Sequence, residues 1–291
     1  MIVATADAAA AEPKPAPDGA SNPTYSTAFS ACVVIPVYDH EHAIATVVDS
    51  IRSQGLPILL VDDGSHEACA RELQRLAELP GVSLFRLPVN RGKGAAVCTG
   101  LLAAQAQGFT HAVQIDADGQ HTLTDVRKFV EEARAYPSSV ICGRPVFDSS
   151  IPRTRFYGRY LTHGMVWVET LSFEIMDSMC GFRVYPLAST IELLHRGGVG
   201  SRMDFDTEIL VRLHWRAAPM RWLATRVSYP LDGVSHFRMF FDNARMTFLH
   251  IRLTVGMLLR LPLLIGRRLG RRRQVSLATE VATEVRRDGT S

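Results

Sequence analysis

Residues 58–65 read ILLVDDGS, a short apolar run that ends in two aspartates, a glycine and a serine. A similar order occurs at 32–38 (CVVIPVY) and at 112–118 (AVQIDAD), where an apolar run again leads into polar residues. Segments with apolar residues at helical spacing lie between these runs. Short apolar strands that alternate with amphipathic helices are typical of βαβ units, in which helices cover both faces of a sheet. The sequence therefore predicts an α/β fold with a mostly parallel sheet flanked by helices.

The two ends of the chain differ from this alternating region. Residues 1–30 are rich in Ala, Pro and Ser, and we predict a disordered tail without the basic start and apolar stretch of a signal peptide. Residues 31–238 are predicted to form one domain, and the part beyond Gly143, where the alternation weakens, belongs to the same domain. We assign residues 239–274 to a membrane-associating helix with a basic cluster, and residues 275–291 to a second tail.

Composition places the chain among globular proteins. Its 291 residues are 47% hydrophobic and 21% charged, which is enough apolar material for a core and argues against general disorder. The net charge of +3 is nearly balanced, and we expect no nucleic-acid partner. The five cysteines are spread out without a C-x-x-C pair, which favours buried free thiols in a reducing compartment.

Polar residues follow four of the predicted strands, at the points where the strands end. In parallel sheets, ligands bind beyond the carboxyl ends of the strands, so we expect these residues to form one site. They are Pro36, Tyr38 and Glu41 after the first strand, Asp62 and Asp63 after the second, residues 90–94 with Lys93 after the third, and Asp116, Asp118 and Gln120 after the fourth.

The pair Asp116 and Asp118 has the spacing of a metal site at a strand end. Two carboxylates at positions i and i+2 can approach one hard divalent cation, and Gln120 adds a third oxygen. We predict Mg²⁺ or Mn²⁺ at this position, where it would neutralise charge on a departing nucleoside diphosphate.

Two further strand ends have features of a nucleotide site. Asp62 and Asp63 can accept hydrogen bonds from a ribose or a base, although a turn that caps the next helix is an equally good interpretation of these two residues alone. Residues 90–94 read NRGKG and place two cations and two glycines before a helix, which favours an anion. A G-x-x-x-x-G-K-[ST] motif is absent, and no G-x-G-x-x-G follows the first strand, which argues against a dinucleotide enzyme.

Together, VIPVY at 34–38, VDDGS at 61–65, NRGKG at 90–94 and DADGQH at 116–121 resemble family 2 glycosyltransferases, and within them the dolichyl-phosphate mannosyl- and glucosyltransferases. The resemblance covers residues 31–237. It implies a GT-A fold, a nucleotide-sugar donor, a divalent metal, and inversion at the anomeric carbon of a sugar that passes from a UDP- or GDP-sugar to a lipid-linked acceptor.

The resemblance also implies roles for individual residues. Pro36, Tyr38, Glu41 and Asp63 would hold the nucleoside, and Asp116, Asp118 and Gln120 the metal. Arg144, Arg159 and Arg183 would contact phosphate on the acceptor side. The sequence departs from the family pattern on that side, with Cys142 and Cys180 in place of serines, His163 in place of a serine, and His236 in place of a lysine.

Because of these departures, the sequence is consistent with two classes of acceptor: a polyprenyl phosphate, or a hydroxyl group of another lipid. A phosphate oxygen is already anionic, whereas a hydroxyl requires a general base. Asp206 is the candidate for that base, and we predict Asp118 and Asp206 as catalytic residues. It starts an apolar-periodic helix, so capping is its alternative role.

Residues 240–264 are apolar and helical in pattern, but Arg252, Arg260 and Pro262 interrupt them. The uninterrupted apolar runs are shorter than the ~20 residues that cross a bilayer. Five arginines follow between residues 267 and 273. This pattern predicts an interfacial anchor on an anionic membrane surface at the cytoplasmic face, and the alternative is a core-packing helix with a basic tail.

Two other functions remain open from the sequence. A sugar nucleotidyltransferase would use a metal and a nucleotide sugar without needing the C-terminal apolar helix. A catalytically silent nucleotide-binding membrane module would not need the intact carboxylates at 116 and 118.

Overall fold

The computed structural model describes residues 28–147, 153–227 and 239–288. In the last of these ranges, side chains are described for residues 243–269. His236 and the side chains of Arg271, Arg272 and Arg273 lie outside the described part, as do residues 1–27 of the predicted tail.

Seven strands form one sheet in the order β3-β2-β1-β4-β6-β5-β7. The strands are β1 (Ala31–Val37), β2 (Ile58–Asp62), β3 (Val82–Arg86), β4 (His111–Gln114), β5 (Val140–Phe147), β6 (Arg183–Pro186) and β7 (Met220–Val227). β6 runs antiparallel to both of its neighbours, β4 and β5, and the other four pairings are parallel. The predicted mostly parallel α/β fold is therefore confirmed.

Eight α-helices connect and cover these strands. They are α1 (Glu41–Arg52), α2 (Glu67–Ala77), α3 (Lys93–Ala106), α4 (Val126–Ala135), α5 (Arg153–Thr170), α6 (Leu187–His195), α7 (Phe205–Trp215) and α8 (Met239–Asp288). A short 3₁₀ helix, Leu123–Asp125, precedes α4.

The alternation of side chains along β1 divides the core into two layers, because successive residues of a strand point to opposite faces of the sheet. Val33 and Ile35 pack with the buried residues of α1, α2 and α4. Cys32 and Val34 pack with buried residues of α3, α6, α7 and α8. All five cysteines are free, and four of them are buried, as the sequence predicts.

Helix α8 packs along the second layer with one face only. Leu249, Leu253, Met257 and Leu264 are buried against the domain. Its segment Asn243–Leu269, 27 residues, is long and apolar enough to cross a membrane by length and composition. Arg252 and Arg260 interrupt this segment, so its uninterrupted apolar runs are short, and the interfacial position of the helix stays a prediction. The helical backbone continues to Asp288.

Candidate active site

The carboxyl ends of β1, β2 and β4 meet at one edge of the sheet. Val37 pairs with Asp62 in β2, and Val34 pairs with Gln114 in β4. The residues that follow these strands, among them Tyr38, Asp63 and Asp116, are thus brought to a common edge. Pro36 is buried within β1, and Glu41 begins α1 just beyond Tyr38.

Lys93 links two carboxylates at this edge. Its Nζ atom lies 2.6 Å from Asp116 Oδ1 and 2.8 Å from Asp206 Oδ2. Burial alone would lower the pKa of Lys93, but the charges of Asp116 and Asp206 outweigh it and raise that pKa above its ordinary value. The amine is therefore charged, and it holds the first residue of α3 against the end of β4.

Asp116 remains ionised in the same environment. Burial alone would raise its pKa, but the charge of Lys93 and the nearby imidazole of His121 hold that pKa well below its usual range. His121 Nε2 lies 3.7 Å from Asp116 Oδ2. The sequence singled out no role for His121, and only its proximity in sequence to Asp116 could have suggested one.

The loop before β6 closes over this ion pair at Gly181. A Cβ atom at that position would lie 2.8 Å from Lys93 Nζ and 2.9 Å from both carboxylate oxygens of Asp116. Contacts this short cannot be accommodated without a shift, so only glycine allows the loop to approach so closely.

The donor set at Asp116 and Asp118 fits a hard divalent cation. Burial raises the pKa of Asp118, and repulsion from the nearby charge of Asp116 raises it further. A bound cation would relieve this repulsion between the two carboxylates. Gln120 donates its backbone N–H to Asp118 Oδ1 at 3.0 Å, which places both residues in one turn. Among the residues that the structure describes, no three His, Cys, Asp or Glu side chains are preassembled for a metal. A cation at this pair would thus take further oxygens from elsewhere, as Mg²⁺ does when it binds substrate phosphates.

Asp206 lies in the first turn of α7 and is braced from several sides. Its Oδ1 atom accepts a hydrogen bond from Gln114 Nε2 at 2.9 Å, and its Oδ2 atom faces Lys93. The Tyr185 hydroxyl donates to Gln114 Oε1 at 3.1 Å. Asp206 is only 4% exposed. The structure therefore brings Asp206 to the predicted metal pair through Lys93, with both of its carboxylate oxygens already engaged.

Asp62 and Asp63 support loops in this structure. Asp63 Oδ1 and Oδ2 accept hydrogen bonds from the backbone N–H groups of Arg91 and Gly92 at 2.7 and 2.8 Å. Asp62 Oδ1 accepts from the Ser65 N–H at 2.8 Å. Both side chains are buried. These contacts correspond to the turn interpretation, and a direct bond from Asp63 to a nucleoside would have to replace one of them.

The three arginines predicted on the acceptor side lie in different environments. Arg144 is exposed on β5. Arg159 forms a bidentate pair with Asp177, with Nε and Nη2 at 2.6 and 2.7 Å from the two carboxylate oxygens. Arg183 is 0% exposed and donates to the carbonyl oxygens of Asp206 and Ser178. In this structure Arg183 braces α7, and its predicted contact with phosphate stays a prediction.

The family model for glycosyl transferase family 2 matches residues 32–193, more than half of the chain. The dolichyl-phosphate beta-glucosyltransferase of Drosophila melanogaster is 26% identical over 232 residues, which cover 72% of this chain and 69% of the relative. The UDP-N-acetylglucosamine–dolichyl-phosphate N-acetylglucosaminyltransferase of Methanococcus voltae is 25% identical over 221 residues, 67% of this chain and 86% of the relative.

A solved structure of glucosyl-3-phosphoglycerate synthase from Mycobacterium tuberculosis, in complex with Mn²⁺, UDP and glucosyl-3-phosphoglycerate, has the same fold. It superposes with a TM-score of 0.58 at 16% identity and covers 80% of this chain and 81% of the synthase chain. At this identity the likeness concerns the fold, and the predicted GT-A-like α/β architecture is confirmed. By its sequence match over residues 32–193, the chain belongs to glycosyl transferase family 2.

Proposed function

We propose that this protein is an inverting glycosyltransferase that moves a sugar from a UDP- or GDP-sugar to a lipid-linked acceptor, a polyprenyl phosphate. The observation that carries the proposal is the charged cluster of Asp116, Lys93 and Asp206 at the carboxyl edge of the sheet. Relatives named as dolichyl-phosphate sugar transferases support the class of acceptor.

In the proposed reaction, the diphosphate of the donor lies against the residue 90–94 loop, with Lys93 as its nearest protein cation. Asp116 and Asp118, with Gln120, would hold Mg²⁺ or Mn²⁺, which would neutralise charge on the departing nucleoside diphosphate. Tyr38, Glu41 and the backbone around Pro36 would border the nucleoside.

The state of Asp206 favours a phosphate acceptor over a hydroxyl. A general base needs an oxygen within reach of the proton that it removes. Asp206 is only 4% exposed, and its two oxygens contact Gln114 and Lys93, so neither oxygen lies open to an incoming hydroxyl. A phosphate oxygen needs no base: it forms the new bond to the anomeric carbon as the bond from that carbon to the nucleoside diphosphate breaks. Arg144 is the exposed arginine that supports acceptor binding in this arrangement.

The exposed face of α8 supports association with a membrane. Phe248, Ile251, Val255, Leu258 and Leu259 are exposed on the side opposite the buried leucines. Because α8 packs along the domain from Leu249 to Leu264, we propose that it lies in the plane of an anionic, cytoplasmic membrane surface with this apolar face in the lipid.

The proposal is tested by measuring the release of UDP or GDP from a panel of nucleotide sugars. The assay contains Mg²⁺ or Mn²⁺ and is run with and without a polyprenyl phosphate. We expect release that depends on the metal, increases with the lipid phosphate and is lost in Asp118→Ala. Donor hydrolysis that ignores the lipid phosphate would move the acceptor to a hydroxyl lipid. Pyrophosphate turnover would indicate a nucleotidyltransferase, and no release from any donor by the folded protein would overturn the proposal in favour of a silent module.

A further inference from the structure

Glu208 joins three elements through one buried carboxylate. It lies in the first turn of α7 and is 0% exposed. Its Oε2 atom accepts a hydrogen bond from the Gly200 N–H at 2.8 Å and a second from Arg252 of α8. Its Oε1 atom accepts from Arg212 Nε at 2.8 Å. The carboxylate thus holds helix α8 and the α6–α7 loop (residues 196–204) to α7.

The α6–α7 loop in turn packs against the loop of residues 90–94. The Ala95 N–H donates to the Ser201 carbonyl oxygen at 2.9 Å. A Cβ atom at Gly94 would lie 2.6 Å from the Gly200 carbonyl oxygen, and one at Gly92 would lie 2.6 Å from the Ser201 carbonyl oxygen. At such short separations one loop cannot move without displacing the other.

A side-chain bond strengthens the same contact. Arg202 Nη1 donates to Asn90 Oδ1 at 3.0 Å. The residue between the two glycines is Lys93, whose amine reaches Asp116 and Asp206. A continuous series of contacts therefore leads from Arg252 on α8 through Glu208 and the α6–α7 loop to the charged cluster of the candidate site.

The pair joins a fully buried Glu208 to an Arg252 side chain that is 38% exposed, so stability alone explains it poorly. Desolvation of the charges offsets much of their attraction, so well-packed apolar residues often stabilise a core equally well. A carboxylate that accepts bonds from two other segments, the α6–α7 loop and α8, instead fixes the positions of both relative to α7.

We infer that Glu208 is a positioning residue that makes the helix α8 part of the donor site, so that the Arg252–Glu208 pair sets the affinity for the nucleoside diphosphate. The inference rests on the proposed function, because it assumes that residues 90–94 face the donor. Glu208 itself is buried away from solvent and acts through Gly200 and Ser201.

Nucleotide binding tests the inference. The full-length protein is placed on phosphatidylcholine–phosphatidylglycerol vesicles, and its affinity for UDP and for GDP is measured by equilibrium dialysis with Mn²⁺. We expect Arg252→Met and Glu208→Gln to weaken the nucleotide that the wild type binds on the order of tenfold. Arg252→Lys should recover part of the loss. Arg260→Met is the matched control, because Arg260 lies two turns further along α8, where it donates to Gly256 and stacks on Trp215 of α7 rather than binding Glu208.

The outcomes separate the inference from its premise. If the wild type binds neither nucleotide, the proposed function fails. If it binds one and Arg252→Met binds it equally well, the inference is overturned while the function stands. A purely structural role would lower the melting temperature and leave the affinity of the folded protein unchanged. Hydrogen exchange at the Ala95 amide tests the coupling between α8 and the loop of residues 90–94 even if Glu208→Gln does not fold. We expect this exchange to accelerate in Arg252→Met but not in Arg260→Met.

Discussion

Lys93 Nζ lies 2.6 Å from Asp116 Oδ1, so a cation from the start of α3 sits on the first carboxylate of the predicted metal pair. The same amine contacts Asp206 from α7 at 2.8 Å. Three elements that are distant in the chain therefore converge on one ammonium group. In the proposed reaction this group is placed to move from the carboxylates toward the donor diphosphate.

Lys93→Met should impair both stability and donor binding. The substitution leaves Asp116 and Asp206 without their shared cation, and removal of one partner of a largely buried pair costs about 3 kcal/mol in the free energy of unfolding. Chemical denaturation at pH 7 measures this loss, and nucleotide dialysis measures donor affinity. Lys128→Met is the control, because Lys128 is exposed and reaches only the Ala224 carbonyl oxygen at 3.4 Å. Equal donor affinity in Lys93→Met and the wild type would contradict the role given to Lys93.

Gly181→Ala should damage the site without removing any functional group. The added methyl would lie within 2.9 Å of Lys93 Nζ and the Asp116 carboxylate, which forces the loop or the ion pair to shift. Because small displacements of reacting groups are costly, we expect kcat/KM to fall about a hundredfold.

The control for this substitution is Gly164→Ala in α5. A Cβ atom there meets nothing within 4 Å, and alanine is the better helix former by about 1 kcal/mol. Steady-state kinetics of the two variants compare a crowded glycine with an open one. Similar kcat/KM values would mean that the Gly181 loop moves freely.

The sequence was sufficient to predict the sheet and the edge that carries the site, because both follow from local patterns. The continuous apolar runs of β1, β2 and β4 alternate with segments of helical spacing, which predicts the sheet and its covering helices, and polar residues at the strand ends mark the edge. Asp116 and Asp118 could be proposed together since they are neighbours on one turn.

Contacts between distant segments could not be predicted in this way. The direction of the Asp63 carboxylate depends on the backbone N–H groups of Arg91 and Gly92, and the pairing of Lys93 with Asp206 depends on where α7 is placed. β6 is buried on both faces, and the guanidinium of Arg183 donates to protein carbonyl groups, contacts that the predicted acceptor-side role did not include. Burial of a charged strand residue is a property of the assembled sheet and has no local signature.

Asp177→Asn should make stability depend less on pH. Burial alone would raise the pKa of Asp177, but a hydrogen bond from His163 and the charge of Arg159 outweigh it and hold that pKa well below its usual range. A depressed carboxyl pKa stabilises the fold above the pKa of the unfolded chain, about 3.9, and this contribution is lost as the pH falls through the folded value.

We therefore expect the free energy of unfolding of Asp177→Asn to be about 3 kcal/mol below that of the wild type at pH 7. This difference in unfolding free energy should narrow as the pH falls below about 4. Urea denaturation across this pH range is the measurement. Asp49→Asn is the control, because Asp49 forms only an exposed pair with Arg52 and should change stability by less than about 1 kcal/mol at any pH. A constant difference between wild type and Asp177→Asn would assign the loss to packing rather than charge.

The double substitution Leu258→Ser and Leu259→Ser should weaken membrane binding and leave the fold intact. Both side chains belong to the outward face of α8, and Leu259 is 78% exposed. If this face enters the lipid, loss of the two apolar groups should reduce partitioning onto phosphatidylglycerol-containing vesicles about tenfold or more, as measured by sedimentation. Val89→Ser is the control, because Val89 is comparably exposed but lies on the loop after β3.

Alkaline carbonate extraction then distinguishes the orientation of α8. A helix that lies in the interface is released, because only one face and the headgroup attraction hold it. A helix that crosses the bilayer resists extraction, and retention of the wild type would overturn the proposed in-plane placement. Such a result would also require α8 to leave the surface on which Leu249, Leu253 and Met257 are buried, which exposes the layer of the core that contains α7.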